Sequence, residues 1–180
     1  MEGRGNSIIK HLDIIRRGNP GRELLIAETG TIRRTDDRGR RGDGHSTEYI
    51  ARWVKQDGNA QFYSIDIDTE VCFEYMVEKG LSDHVELVED DSLVALSAMF
   101  RMAANSLLKF DFVYLDSANN PNLTLSEFKL CEEYGVPQVM IDDCKPPKRK
   151  GSLAIEYAQE QGIPCAMNSD GQGLFFMNQK

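Results

Sequence analysis

The sequence has no apolar run approaching the roughly 20 residues that cross a bilayer. Its first residues, Met1 to Asn6, are polar and lack the apolar stretch of a secretory leader. The expectation is a cytoplasmic chain with no membrane partner. Positive charge is short: 21 basic residues stand against 29 acidic ones, a formal charge of -8. A non-specific nucleic-acid binder needs the opposite balance, so no nucleic-acid partner is expected. Cysteine is sparse, at Cys72, Cys131, Cys144 and Cys165. None forms a C-x-x-C pair and the spacing fits no zinc module, which leaves reduced thiols. There is no G-x-G-x-x-G fingerprint, no G-x-x-x-x-G-K-[ST] loop and no G-x-S-x-G elbow. These absences argue against a dinucleotide site, a P-loop and an α/β-hydrolase. Histidine is limited to His11, His45 and His84. His11 reads as a surface helix residue and His84 as structural, whereas His45 lies beside a presumed ligand loop.

What is present is an ordinary globular composition, 41% apolar and 28% charged, over 180 residues. That is enough for one domain with its own core. Ser7 to Arg17 carries apolar residues at helical spacing and ends at Gly18-Asn19-Pro20-Gly21. Short apolar runs then alternate with helical patterns. Strands are expected at Glu23–Glu28, Gln61–Ile67, Val85–Val88, Phe110–Leu115, Val136–Ile141, Ile163–Met167 and Leu174–Met177. Helices are expected at Ser46–Gln56, Thr69–Lys79, Ser92–Ala104, Leu123–Tyr134 and Ser152–Gln161. Strands separated by helices imply βαβ units and a parallel sheet. The last two strands lack a helix between them and should form an antiparallel hairpin through Ser169-Asp170-Gly171-Gln172. The expected fold is α/β, a doubly wound seven-stranded Rossmann-like sheet. It forms a single domain over residues 1–180, with 1–22 as N-terminal helix and linker and 23–180 as core. Ile50, Trp53, Phe73, Met76, Met99, Phe100 and Met102 are assigned to the core or to a subunit contact.

Doubly wound sheets bind ligands outside the carboxyl ends of their strands. Every parallel strand here ends in or runs into an acidic residue: Glu28, then Asp66 and Asp68, then Glu89, Asp90 and Asp91, then Asp116, then Asp142 and Asp143. Helix capping by Asp and Ser is the alternative account of that pattern.

These residues resemble the class I S-adenosylmethionine-dependent methyltransferases. The segment Leu24-Leu25-Ile26-Ala27-Glu28-Thr29-Gly30-Thr31 is similar to that family's first motif, and Gly42-Asp43-Gly44-His45-Ser46-Thr47 to the G-x-S-T that opens the next helix. The resemblance implies that Glu28, Thr29, Gly30, Gly44, Ser46 and Thr47 hold the methionine end of the cofactor. Ser64-Ile65-Asp66-Ile67-Asp68 resembles the second motif, which places Asp66, with Asp68 second, at the ribose. Glu89-Asp90-Asp91-Ser92 resembles the loop beside adenine, which brings in Asp91 and Ser92. Asp116 joins the cofactor set and, with Asp142 and Asp143, resembles the metal site of the catechol, caffeoyl-CoA and sugar O-methyltransferases and of the cephalosporin-hydroxylase-like group. Three such oxygen ligands suit a hard divalent cation, Mg²⁺ first, that would orient a hydroxyl and lower its pKa.

Two departures from the family stand out. After Asp116 the sequence reads Ser117-Ala118-Asn119-Asn120-Pro121. Relatives often carry a Lys or His there, and Asn119 cannot take a proton. Either His45 or Lys145 is the base in its place, or the metal alone activates the nucleophile, or methyl transfer is lost. The first loop, Thr31 to Asp43, is long and holds five arginines. It either clamps an anionic group or is solvated, and the same holds for the basic run Lys145 to Lys150. Arg41-Gly42-Asp43 is taken as coincidence.

The resemblance implies a transferase that methylates oxygen on a small hydroxylated acceptor, anionic or sugar-like, with S-adenosylmethionine and a divalent cation. The many apolar helix positions of a compact chain allow a homo-oligomer. The rivals are a non-catalytic S-adenosylmethionine-binding module and an enzyme that uses or cleaves the cofactor without methyl transfer. A receiver-like domain is also considered, because Phe110 to Asp116 ends in Asp, but the first strand lacks the acidic pair.

Overall fold

A computed structural model describes residues 4–35, 45–145 and 150–177. Among these residues seven strands form one sheet: β1 (Leu24–Thr29), β2 (Ala60–Asp66), β3 (Glu86–Glu89), β4 (Phe112–Leu115), β5 (Gln138–Ile141), β6 (Cys165–Met167) and β7 (Gly173–Phe176). The helices are α1 (Arg4–Gly18), α2 (Ser46–Asp57), α3 (Glu70–Lys79), α4 (Ser92–Asn105), α5 (Pro121–Glu133) and α6 (Ser152–Gln161). The strand order is β3-β2-β1-β4-β5-β7-β6. The first five strands are parallel, and β7 runs antiparallel between β5 and β6. The order reverses between β1 and β4, which makes that crevice the switch point.

β1 is central and all six of its residues are buried. Its side chains alternate between faces. Leu24 and Ile26 enter one apolar layer with Ile8, Leu12, Ile50, Trp53 and Met76 of α1, α2 and α3. Leu25 and Ala27 enter the other, with Leu96, Phe100, Phe128 and Ala158 of α4, α5 and α6. By the same alternation Glu28 points toward α2 and Thr29 toward α4 and α5.

α1 is fastened to the rest of the chain. Arg16 binds Asp57 through two hydrogen bonds, of 2.6 and 2.5 Å, and its Nη2 also reaches the Asn59 carbonyl at 2.8 Å. His11 is not at the surface as the sequence implies. It is buried against Phe112 and Phe176, with ring centroids 5.4 and 6.4 Å away, and burial lowers its pKa. α1 lies on the sheet rather than beside it, which turns that helix position inward. Ile50, Trp53, Met76 and Phe100 are in the core, whereas Phe73 and Met102 are exposed. No helix of the described residues is long and apolar enough to cross a membrane.

Candidate functional site

Ladder hydrogen bonds continue one residue beyond the strands and line up their carboxyl ends. Gly30 N donates to the Ile65 carbonyl at 2.8 Å, Asp90 N to Asp66 at 3.0 Å, Asp116 N to Thr29 at 2.8 Å and Asp142 N to Leu115 at 3.1 Å. The expected acidic positions therefore stand in one row along this edge of the sheet. Gly30 has φ +85°, and a Cβ there would overlap the backbone carbonyl of Asp116. The glycine lets the ends of β1 and β4 meet at the switch point.

Glu28 is fully buried at this edge. Its Oε1 accepts from Thr47 Oγ1 and, at 2.7 Å, from Ser64 Oγ. Thr47 also lies 3.2 Å from Thr31 Oγ1. Glu28 Oε2 is buried with no hydrogen bond. Burial raises the carboxyl pKa to about 7, against the pull of the Thr47, Ser64 and Ser46 hydroxyls and with a push from Asp116. Ser46 and Thr47 occupy the first turn of α2, where helix N–H groups are left without carbonyl partners. A buried carboxyl next to a helix N-terminus offers an acceptor for an ammonium and donors for a carboxylate. That is the donor set an amino-acid end group requires.

Asp66 lies at the end of β2 with its side chain 1% exposed. Its oxygens accept from Thr31 N at 2.9 Å, Ile67 N at 2.8 Å, and Arg33 Nε and Nη2 at 3.1 and 3.0 Å. A half-exposed guanidinium from the first loop thus covers the carboxylate expected to meet a ribose. Asp68 is exposed and accepts from Glu70 N at 3.2 Å. Asp91 is exposed and caps α4 by accepting from Leu93 N and Val94 N. Capping accounts for the acidic residue at Asp91. Ser92 is half-buried and faces Glu127 of α5.

The acidic end of β4 holds a feature the sequence does not announce. Lys150, from the second basic run, is buried and its Nζ donates to Asp116 Oδ1, with the Ser117 carbonyl 3.4 Å away. Burial, with Asp142 and Asp143 close by, raises the Asp116 carboxyl pKa against the pull of Lys150. Asp143 has a left-handed backbone, φ 50°, that turns the chain away from β5. Among the described residues no group of three His, Cys, Asp or Glu side chains is arranged to hold a metal ion. Asp142 and Asp143 act electrostatically on Asp116, but an ammonium is seated on Asp116. As arranged, these residues do not fit a divalent cation.

Of the two candidate bases, His45 is buried with its Nε2 left without a hydrogen bond, whereas Lys145 is hydrogen-bonded. His45 Nδ1 lies 3.6 Å from Glu48, and its ring meets Tyr75 edge-on at 5.3 Å. Burial raises the Glu48 pKa, but hydrogen bonds from Tyr75 and Arg52 prevail and hold it below its usual value. Lys145 Nζ donates to the carbonyls of Asn168 and Ser169, at 2.8 and 3.3 Å. Gly44, most of the arginine-rich loop including Arg41-Gly42-Asp43, and 146–149 of the second basic run lie outside the described residues. All four cysteine thiols are shifted up, chiefly by burial, which disfavours nucleophilic thiolates.

Sequence reasoning missed Lys150 and Glu127. Glu127 is fully buried and accepts from Ser117 Oγ at 3.0 Å. It had a readable signal, since it shares the inward stripe of α5 with Thr124, Phe128 and Cys131. Lys150 had no such signal, because only the folded chain carries it to Asp116.

Cavities of about 360 Å³, lined by Val54, Ala60, His84 and Glu86 among others, and about 730 Å³, lined by Lys109, Gly135 and Ile163 among others, open at the opposite edge, where the parallel strands begin. Volume alone does not locate the site, because ligands of such sheets meet the carboxyl ends of the strands.

The strand order, with its antiparallel β5-β7-β6 end, is that of a class I methyltransferase fold. A family model described as a methyltransferase domain matches residues 41–144, more than half of the chain, and the chain belongs to that family. No curated protein sequence matches it. Solved structures share its fold. The MycE methyltransferase of the mycinamycin biosynthetic pathway, in complex with Mg, SAH and mycinamycin VI, superposes with a TM-score of 0.61 at 14% identity. That match covers 94% of this chain and 49% of MycE. The CurJ carbon methyltransferase gives 0.61 at 10% identity, over 95% of this chain and 52% of its own. The N-methyltransferase NodS from Bradyrhizobium japonicum WM9, in complex with S-adenosyl-L-homocysteine, gives 0.56 at 7% identity, over 99% and 90%. The chain thus spans about half the length of MycE and CurJ. Neighbours named for nitrogen and for carbon methylation share one sheet, so the fold does not select the accepting atom.

Proposed function

We propose that this chain binds S-adenosylmethionine at the carboxyl edge of β1, β2 and β3 and transfers its methyl group to oxygen on a small hydroxylated acceptor. The observation that carries the cofactor reading is Glu28: a buried carboxyl, anchored by Thr47 and Ser64, with one oxygen left to accept a hydrogen bond beside the start of α2. When bound, the cofactor would supply an electrophilic methyl: its transfer would break the S–CH₃ bond, form an O–CH₃ bond, leave the thioether S-adenosylhomocysteine and pass the hydroxyl proton to solvent water. Glu28 takes the cofactor's ammonium, and Ser46 with the N–H groups of α2 takes its carboxylate. Asp66 holds the ribose hydroxyls once Arg33 gives way. Oxygen is favoured as acceptor because the edge at β4 and β5 is rich in groups that bind hydroxyls: Asp116, Ser117, Asp142 and Lys150.

Two substitutions test the ribose role by S-adenosylhomocysteine titration. Asp66→Ala removes a charged acceptor and weakens binding by about 1–3 kcal/mol, or roughly 5- to 150-fold. Arg33→Met removes a competitor for the same oxygens and tightens binding by roughly two- to fivefold, the size of an exposed ion pair. Unchanged affinity in both variants removes Asp66 from the site.

A second reading, a cofactor-binding module without methyl transfer, has one observation in its favour. Lys145 is held by the Asn168 and Ser169 carbonyls, and Asn119 cannot take a proton. Labelled S-adenosylmethionine with a panel of hydroxylated acceptors separates the readings. Label on an acceptor supports transfer. Breakdown of the cofactor without labelled acceptor points to cleavage. Binding with neither outcome supports the module.

A further inference from the structure

In MycE the solved complexes contain magnesium, whereas here the acidic cluster at β4 and β5 has a cation of its own. We propose that the Lys150 ammonium is a resident cation of this edge, occupying the place a divalent ion would take, so that the chain carries out its chemistry without a bound metal. The catalytic meaning of this inference rests on the methyltransferase reading; the occupancy itself does not.

Four observations support it. The Lys150 side chain is 3% exposed and the Asp116 side chain 20% exposed. An ammonium in such a place is held by its carboxylate partner, because a lone buried charge costs several kcal/mol. Asp142 and Asp143 add their negative field at Asp116, the carboxylate that accepts from the ammonium. The approach of Lys150 is built into the chain: a Cβ on its neighbour Gly151 would overlap Cys144 Sγ and press on Ile141. Cys144 is itself fixed, its N donating to the Gly171 carbonyl at 2.8 Å. A bare glycine at 151 thus lets the start of α6 close against the end of β5 and delivers Lys150 inward.

Mg²⁺ needs free carboxylate lone pairs at about 2.0–2.1 Å and nearly octahedral surroundings. The Lys150 bond takes a lone pair of Asp116, and a fixed positive charge beside it repels a second cation. The same charge serves the acceptor end. An oxygen that sheds its proton near Asp116 and Ser117 meets a positive charge there, the electrostatic part of what a metal supplies.

The test is direct binding of Mn²⁺, followed by electron paramagnetic resonance on the full chain without cofactor, so that failure of the methyltransferase reading does not affect it. The wild type is expected to leave Mn²⁺ free. Lys150→Met is expected to acquire one site that binds at least tenfold more tightly than any in the wild type, and adding Asp116→Asn is expected to abolish it. One tight Mn²⁺ in the wild type, or no gain in Lys150→Met, overturns the proposal. Should Lys150→Met fail to fold, amine acetylation of the wild type read by mass spectrometry decides. Lys150 is expected to react at least tenfold more slowly than exposed Lys145, and equal rates overturn the pairing.

Discussion

Gly30→Ala is expected to lower the stability of the chain by about 3 kcal/mol or more. Two effects add at this position. The backbone sits at φ +85°, where an L side chain is strained by roughly 1–3 kcal/mol. The new methyl would also overlap the carbonyl carbon and oxygen of Asp116, which are backbone atoms and cannot rotate aside. Overpacking of this kind costs roughly another 1–3 kcal/mol. Relief requires the ends of β1 and β4 to part, which breaks the 2.8 Å hydrogen bond from Asp116 N to the Thr29 carbonyl. For a chain of this size the melting temperature should fall by roughly 6–12 °C, at about 2–4 °C per kcal/mol. Loss of cofactor affinity should accompany it, because Glu28 and Asp116 are aligned by the same contact. A shift under about 2 °C would mean that the two strand ends are not packed as described.

Glu28 provides the second large effect, and it depends on pH. Its carboxyl titrates at about 7 in the folded chain against an ordinary value of 4.5, because burial disfavours the charged form. Below 4.5 the group is protonated in both folded and unfolded chains. Between 4.5 and 7 the unfolded chain gives up this proton and the folded chain keeps it. Stability contributed by Glu28 is therefore full at low pH and is lost as pH rises through 7. At about 1.4 kcal/mol per pKa unit, the loss is about 3 kcal/mol. Asp116 and Glu127 are raised as well, so the readout is the difference between wild type and Glu28→Gln in urea unfolding from pH 4.5 to 8. The wild type should lose stability relative to the variant over that range; parallel curves would refute the buried-carboxyl account. The cofactor's ammonium requires the ionised form, so S-adenosylhomocysteine affinity should rise with pH through 7 in the wild type and stay flat in Glu28→Gln.

Much of the fold can be read from the sequence, and the discrepancies have local causes. Helix Ser152–Gln161 is found where it is expected. β5 begins at Gln138 and β6 at Cys165, after Pro137 and Pro164, because proline has no N–H for a ladder. β4 begins at Phe112 because the Asp111 carboxylate is used to accept from Leu25 N and Arg22. α5 begins at Pro121, two residues before the expected start, with Asn120 as its cap and proline in the first turn, where no N–H is needed. The site is legible where chemistry coincides with strand ends, as at Glu28, Asp66 and Asp116. It is not legible where partners come from distant segments. Arg33 on Asp66 and Lys150 on Asp116 are separated from their carboxylates by 33 and 34 residues. A run of basic residues in a sequence does not show which one turns inward.

The proposed cofactor pocket lies at the carboxyl edge of β1 and β2. Calorimetric titration of the full chain with S-adenosylhomocysteine, beside Asp66→Ala, tests it most directly. One site with micromolar affinity is expected in the wild type, and a loss of roughly 5- to 150-fold in the variant. No heat of binding from a folded wild type, or equal affinity in the two proteins, would contradict it.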